Sequence, residues 1–280
     1  MLSTNPGAGA TIVIQPTRDL FHLDLHEIWQ HRDLLYFLVW RDVKVRYKQT
    51  AIGAAWALLN PLVTMAIFTV VFGHFAKLPS DGMPYPIFVF AALLPWNYYS
   101  QAITRSGASL VGDANLIRKV YFPRVIIPLS ATITPLVDFA IAFGLLLGMM
   151  IWFGMSPTWA VLTLPLFAAM TVIIALGVGL WLSALNVRYR DVGHIIPFLT
   201  QVWLYATPVA YSLNLVPSQF RLLYSLNPMV GVVEGFRWTI RGSGDLEVGA
   251  VVVSAAVSVL VLVGGLAFFK HMEETFADVV

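Results

Sequence analysis

Few residues in this chain could do chemistry, and their surroundings limit what that chemistry could be. There is no cysteine among the 280 residues, which excludes thiol nucleophiles, disulfides and cysteine-held metals. The sequence contains no Gly-x-Ser-x-Gly elbow and no His-Glu-x-x-His zinc pair. It also lacks the Gly-x-x-x-x-Gly-Lys-Ser/Thr loop that cradles nucleotide phosphates. What remains is aromatic and polar groups set in long apolar runs. Trp96, Tyr98 and Tyr99 stand beside Asn97 and Gln101, and Trp203 and Tyr205 stand beside Thr200 and Gln201. An aromatic ring can stack on the apolar face of a sugar while its polar tip hydrogen-bonds a hydroxyl. These clusters could therefore line a path for a sugar polymer, or they could simply pack helices. Asp138 is the one acid well inside an apolar run. A carboxylate there must be protonated, hydrogen-bonded or wetted; Thr134, one helical turn earlier, is the expected partner, with a role in transport as the alternative.

The elements that hold these residues follow from charge and apolarity. Residues are 58% hydrophobic and 11% charged, against about a quarter charged in an average soluble domain, so lipid must be the solvent for much of the chain. A membrane helix needs about 20 mostly apolar residues. Charge-free runs place six such spans at residues 54–75, 86–104, 126–153, 159–182, 194–212 and 248–269, with the Gly154-Met155-Ser156-Pro157 break dividing the third from the fourth. The fold class expected is all-α integral membrane: six transmembrane helices, an N-terminal amphipathic interfacial helix, and short re-entrant or outer helices before the last span. The start of the chain lacks the basic-then-apolar pattern of a signal peptide.

Most of the 17 Lys and Arg residues fall on one set of loops, while Lys77, Arg221, Arg237 and Arg241 fall on the other. The positive-inside rule then puts both termini in the cytoplasm. Residues 33–48 read as an interfacial helix: Tyr36, Val39, Trp40, Val43 and Tyr47 share one stripe, with Asp33, Arg41, Lys44 and Lys48 beside it. A topology anchor would account for this pattern, as would a cuff that also touches a cytoplasmic partner. In the loop after the second span, apolar Leu116, Ile117, Val120, Tyr121 and Phe122 flank Arg118 and Lys119. Lipid, the rest of the chain or another protein must cover them. In the long outer loop, Asn227-Pro228 is a good helix start, after which Glu234 and Arg237 share a face.

Several segments together resemble the membrane-spanning subunits of type 2 ABC exporters, the family that exports lipid-linked polysaccharides such as O-antigen, capsule or teichoic acid. They are the stretch 34–50, Gly53 with Trp56, Pro84-Tyr85-Pro86, Leu94-Pro95-Trp96, the stretch 115–124, and Asn227-Pro228. The likeness runs over residues 32–270, flanked by cytoplasmic tails at 1–31 and 271–280. It is most like the O-antigen permeases of Gram-negative inner membranes.

The resemblance implies a homodimer paired with two copies of a separate ATPase subunit. ATP and Mg would be held by that subunit, with no cofactor in this chain and no nucleic-acid partner. It implies ATPase contacts at Arg41, Lys44, Leu116, Ile117, Arg118, Lys119, Tyr121 and Phe122. A lipid-linked polysaccharide also carries a diphosphate head, and Arg46 and Arg105, near the cytoplasmic ends of spans, could meet it or could be plain topology charges. The sugar path would then be Trp96, Tyr98, Tyr99, Trp203 and Tyr205. A secondary transporter is the rival reading: Pro95, Pro197 and Pro208 could break helices, but apart from Asp138 ionisable groups are missing from the spans.

Overall fold

The structure, a computed structural model, describes residues 25–48, 53–242 and 244–279. Most of the expected N-terminal tail (residues 1–24), Gln49, Thr50 and Val280 lie outside the described residues. The short α1 (Leu25–Gln30) leads into α2 (Arg32–Lys48). Then come α3 (Gly53–Phe68), passing into a π-helical turn at Thr69–Phe75, and α4 (Tyr85–Gly112). After α5 (Ala114–Lys119) come α6 (Ile126–Ile133) and α7 (Leu136–Trp152). A 3-10 turn at Trp159–Thr163 opens α8 (Leu164–Arg188). The chain continues through α9 (Val192–Tyr205), α10 (Ser218–Tyr224), α11 (Pro228–Arg241) and α12 (Val248–Val279).

Among the described residues, four helical stretches are long and apolar enough to cross a membrane: Leu58–Phe75, Ile126–Trp152, Trp159–Arg188 and Val248–Glu273. The second and fifth expected spans fall on α4 and α9, which are not among them, for different reasons. α4 has 28 residues, about 42 Å at 1.5 Å per residue, so length is not what it lacks. It is the central helix of the bundle, touched by α3, α6, α7, α8, α9 and α11, and the run Ile87 to Leu94 is wholly buried. Protein shields it from lipid, so it can carry Asn97, Ser100 and Gln101. α9 has 14 residues, about 21 Å, and ends at Tyr205 where the sequence suggested helix to 212. Pro208 explains the stop, since its ring would strike the carbonyl four residues back and Thr207 before it is pushed out of the helical region.

The third expected span is also broken. α6 ends at Ile133 and α7 starts at Leu136, on either side of Thr134-Pro135. Three hydroxyls of this turn bond back to the helix: Ser130 Oγ to the Ile127 carbonyl (2.8 Å), Thr132 Oγ1 to Pro128 (2.8 Å) and Thr134 Oγ1 to Ser130 (2.9 Å). Such bonds bend helices, and Pro135 has no N–H to continue the ladder. The break places Asp138 in the first turn of α7.

The last helix runs well past the expected span and replaces the expected tail through Val279. Phe269, Met272 and Phe276 are buried in a second core with Leu38 of α2, Leu110 of α4, Phe122 and Ile126. The Arg124 backbone N–H bonds Glu273 Oε1 at 3.3 Å and its guanidinium bonds the Glu273 carbonyl. Higher up, α12 crosses α8 at close range: a Cβ on Gly265 would lie 2.5 Å from the Gly177 carbonyl oxygen, and one on Gly177 would lie 2.8 Å from the Leu262 backbone. Small residues are what let helices approach this closely.

Candidate functional site

The charged cluster that sequence reasoning did not assemble lies where α2, α3, α4 and α7 meet. Arg46, in the last turn of α2, pairs its Nη1 with Asp138 Oδ2 at 2.5 Å. Its Nη2 donates to Gln101 Oε1 of α4 at 3.0 Å. Tyr47 donates its hydroxyl to Asp138 Oδ1. Burial first, and then this hydrogen bond, push the Tyr47 phenol up to about 12, so it is held as a donor. Asp138 is thus bound by α2, correcting the expectation of Thr134, whose hydroxyl is taken by Ser130. The first turn of α7 also favours a negative charge there, through the helix dipole. Half-buried Arg105 lies within electrostatic reach of Arg46, Asp138, Asp42 and Tyr47. A cavity of about 300 Å³ opens against this cluster, lined by Arg46, Asn60, Asn97, Tyr98, Gln101 and Asp138 among others.

The position of Arg46 is itself a finding. Five residues earlier, in the middle of α2, Arg41 makes a two-pronged bond to Asp113 at the foot of α4, at 2.9 and 3.0 Å. Gln101 lies three turns further along α4, about 18 Å. The end of α2 therefore climbs along the bundle rather than lying wholly at its surface, and Arg46 sits deeper than a charge at a span's end. The packed face of α2 is Leu34, Leu35 and Leu38. Of the aromatic stripe, Tyr36 and Trp40 face outward, stacked on each other and exposed, while Tyr47 turns in to Asp138. Lys44 lies 5.2 Å over the Trp40 ring.

Of the other residues singled out at this end, Arg118, Lys119 and Tyr121 are exposed, Tyr121 by 75%. Leu116 and Ile117 are half-buried against the second core. Phe122 is buried in that core, which corrects its expected place in an exposed contact: it anchors the loop on which its neighbours stand. The hydrogen bonds of Arg41 to Asp113 raise its pKa further above its ordinary value, so its charge is permanent and committed within the chain.

The expected aromatic path divides. Trp96, Tyr98 and Tyr99 are 4%, 2% and 0% exposed, so in this conformation they do not line an open route. Trp96 packs on Tyr99 and Tyr99 meets Trp203 edge-on, with centroids 5.6 and 5.5 Å apart. Tyr98 bonds the Thr132 carbonyl at 3.1 Å and borders the cavity. Trp203 is half-buried and donates its Nε1–H to Asn227 Oδ1 at 3.0 Å. Tyr205 is exposed, together with Ile195, Phe198 and Val202 on α9.

Beyond α9 the backbone of residues 206–211 is irregular, and side chains take its carbonyls as burial demands. Ala206 accepts from Tyr224 and Asn227, Ala210 accepts from Tyr85, and Val209 and Tyr211 accept from Arg237. Arg237, 3% exposed, also bonds Glu234 at 3.2 Å and covers the Phe88 ring at 3.5 Å. Asn227 caps α11 by accepting from the Met229 N–H at 3.1 Å, the helix start that its Asn-Pro pair suggests.

A bundle with long apolar outer helices, a shielded polar-aromatic central helix and a charged cavity beside it is that of a helical membrane protein. The chain belongs to the ABC-2 type transporter family, whose profile matches residues 33–240. It is 32% identical over 258 residues to the O-antigen export system permease protein RfbA of Myxococcus xanthus, covering 91% of this chain and 98% of that one. A protein of the same name from Klebsiella pneumoniae is 27% identical over 88% of this chain and 95% of its own length. The polysialic acid transport protein KpsM of Escherichia coli is 23% identical over 84% and 91%.

Proposed function

We propose that this chain is the membrane-spanning subunit of an ATP-driven exporter that moves a lipid-linked polysaccharide, O-antigen in kind, from the cytoplasmic face across the inner membrane. The observation that carries the reading is nearly full-length similarity to permeases named for O-antigen export, at 32% identity over 98% of one relative. The capsule reading rests on the more distant polysialic acid relative. In this account both termini are cytoplasmic, two copies of the chain assemble, and two copies of a separate subunit bind ATP and Mg and hydrolyse the nucleotide. Exposed Lys44, Arg118, Lys119 and Tyr121 meet that subunit. Arg41, Leu116, Ile117 and Phe122 hold the docking surface from within. The diphosphate head meets Arg46 and Arg105. The sugars follow Tyr205, Trp203 and Tyr98, with Trp96 and Tyr99 shaping that face from behind.

The test is removal of this gene alone, with complementation at matched protein level. Surface polysaccharide is expected to disappear and to return with the wild-type chain. Unchanged surface polysaccharide without the chain would defeat the reading. The purified chain is expected to hydrolyse no ATP by itself, and turnover is expected on reconstitution with its partner.

A further inference from the structure

The cluster at the end of α2 contains an anion already. Arg46 holds the Asp138 carboxylate with one arm and Gln101 with another, and Tyr47 donates to the same carboxylate. A guanidinium's planar donors fit carboxylate and phosphate alike. We propose that this cavity is a phosphate-binding site whose resting occupant is Asp138, and that the anionic head of the cargo enters by taking the place of Asp138 on Arg46. The inference rests on the export reading for the identity of the cargo and on the geometry of the cavity for the exchange.

Three features favour exchange over a permanent staple. Arg46 and Asp138 both line a cavity of about 300 Å³, with the paired atoms Nη1 and Oδ2 buried just behind its wall. That space holds several waters at roughly 30 Å³ each, and a phosphate group is of the same size class. Neutral hydrogen-bonding groups share the wall: Asn60, Asn97, Ser100, Gln101 and Tyr98. They can serve whichever anion is present without charge of their own. Finally, a second cation is close at hand. Arg105 joins Arg46 within electrostatic reach of Asp138, and among the described residues it makes no ion pair. Asp42, the other nearby acid, is already held by Arg41 at 2.8 Å. The first turn of α7 adds its own positive end.

The exchange has a mechanical consequence. Asp138 is what ties the last turn of α2 to α7, through both Arg46 and Tyr47. An arriving phosphate would release α7 from α2, so the occupancy of the cavity would be reported on the helix proposed to meet the ATPase.

The experiment uses the full chain in lipid nanodiscs, titrated with farnesyl diphosphate, with inorganic diphosphate and with neutral farnesol. Intrinsic tryptophan fluorescence or thermophoresis reads the binding. Asp138→Asn keeps the shape and a hydrogen-bonding partner for Tyr47 but removes the competing charge. It is expected to tighten farnesyl diphosphate binding about tenfold and to leave farnesol unchanged. Asp138→Glu, which keeps the charge, is expected not to tighten binding. Arg46→Gln is expected to weaken it at least tenfold, with or without Asp138→Asn. Tightening for the prenyl diphosphate alone assigns the site to a lipid head, and equal tightening for inorganic diphosphate assigns it to the free anion. Unchanged or weaker diphosphate binding in Asp138→Asn, with the protein still monodisperse, would overturn the exchange. If export failed in cells while Asp138→Asn still tightened binding, the site would stand without the cargo. If export held and binding did not tighten, the exchange would fall alone.

Discussion

Arg237 and Arg46 are both arginines paired with a carboxylate inside the bundle, but their surroundings differ in kind. Arg237 is sealed, with guanidinium bonds to Glu234 and to the carbonyls of Val209, Tyr211 and Phe88, and with the Phe88 ring beneath it. Arg46 pairs with the Asp138 carboxylate, bonds the Gln101 amide and borders a cavity. The first arrangement spends its donors on backbone that must be satisfied away from water. The second keeps its charge next to open space. In a membrane protein the charge that neighbours a cavity is the candidate for ligand exchange, and the charge enclosed by carbonyls is a scaffold.

The sharpest way to break this comparison is to remove each arginine. Arg237→Leu strands Glu234 and three carbonyls, and breaking one side of a buried pair costs about 3–5 kcal/mol. Thermal unfolding of the purified protein should fall steeply, or yield should collapse. Arg46→Gln should leave unfolding far less affected, because Gln keeps a polar partner for Gln101 and the cavity can wet the carboxylate. Equal destabilisation by both would erase the distinction. Next in size is Phe122→Ala, which empties a site in the second core and should cost about 3 kcal/mol. Loss of the ATPase partner should accompany it, since the loop carrying Arg118 and Lys119 would lose its anchor. Trp203→Phe tests the α11 end more gently. It keeps a ring against Tyr99 but leaves Asn227 one donor short, worth about 1 kcal/mol in the same melting assay. Smallest in stability is Arg118→Glu with Lys119→Glu. Both side chains are exposed, so the change should stay within about 0.5 kcal/mol. Co-purification of the ATPase subunit should nevertheless be lost, and normal co-purification would move the docking surface elsewhere.

The membrane class was legible because charge-free runs are a one-dimensional signal: the stretches at Leu58–Phe75 and Val248–Glu273 need no partner to be recognised. Asn227-Pro228 was legible for the same reason, since a cap and the residue that follows it are local. The central helix was readable in part. Asn97, Ser100 and Gln101 amid aromatics signal a helix facing protein or water, but not which. The ion pairs were not legible. Arg41 and Asp113 lie 72 positions apart, and Tyr47 and Asp138 lie 91 apart, and no periodicity links them. Asp138 looked solitary because sequence neighbours were the only partners in view. Which face of α2 packs on the bundle was not legible, since Leu34, Leu35 and Leu38 and the aromatic stripe are both apolar and nothing local tells them apart. Phe122 was placed with its exposed neighbours because a short loop carries no sign of which side chain turns inward.

The central claim is that this chain carries a lipid-linked polysaccharide through the membrane, powered from outside itself. Its most direct test is reconstitution of the chain with its ATPase partner in proteoliposomes bearing the lipid-linked polymer on the outer surface. Accessibility of the sugars to periodate reads their side. The account predicts that added ATP moves sugars into a protected compartment, and that Arg46→Gln with Arg105→Gln abolishes the protection while the complex remains assembled. An assembled wild-type complex that hydrolyses ATP while every sugar stays accessible would contradict it.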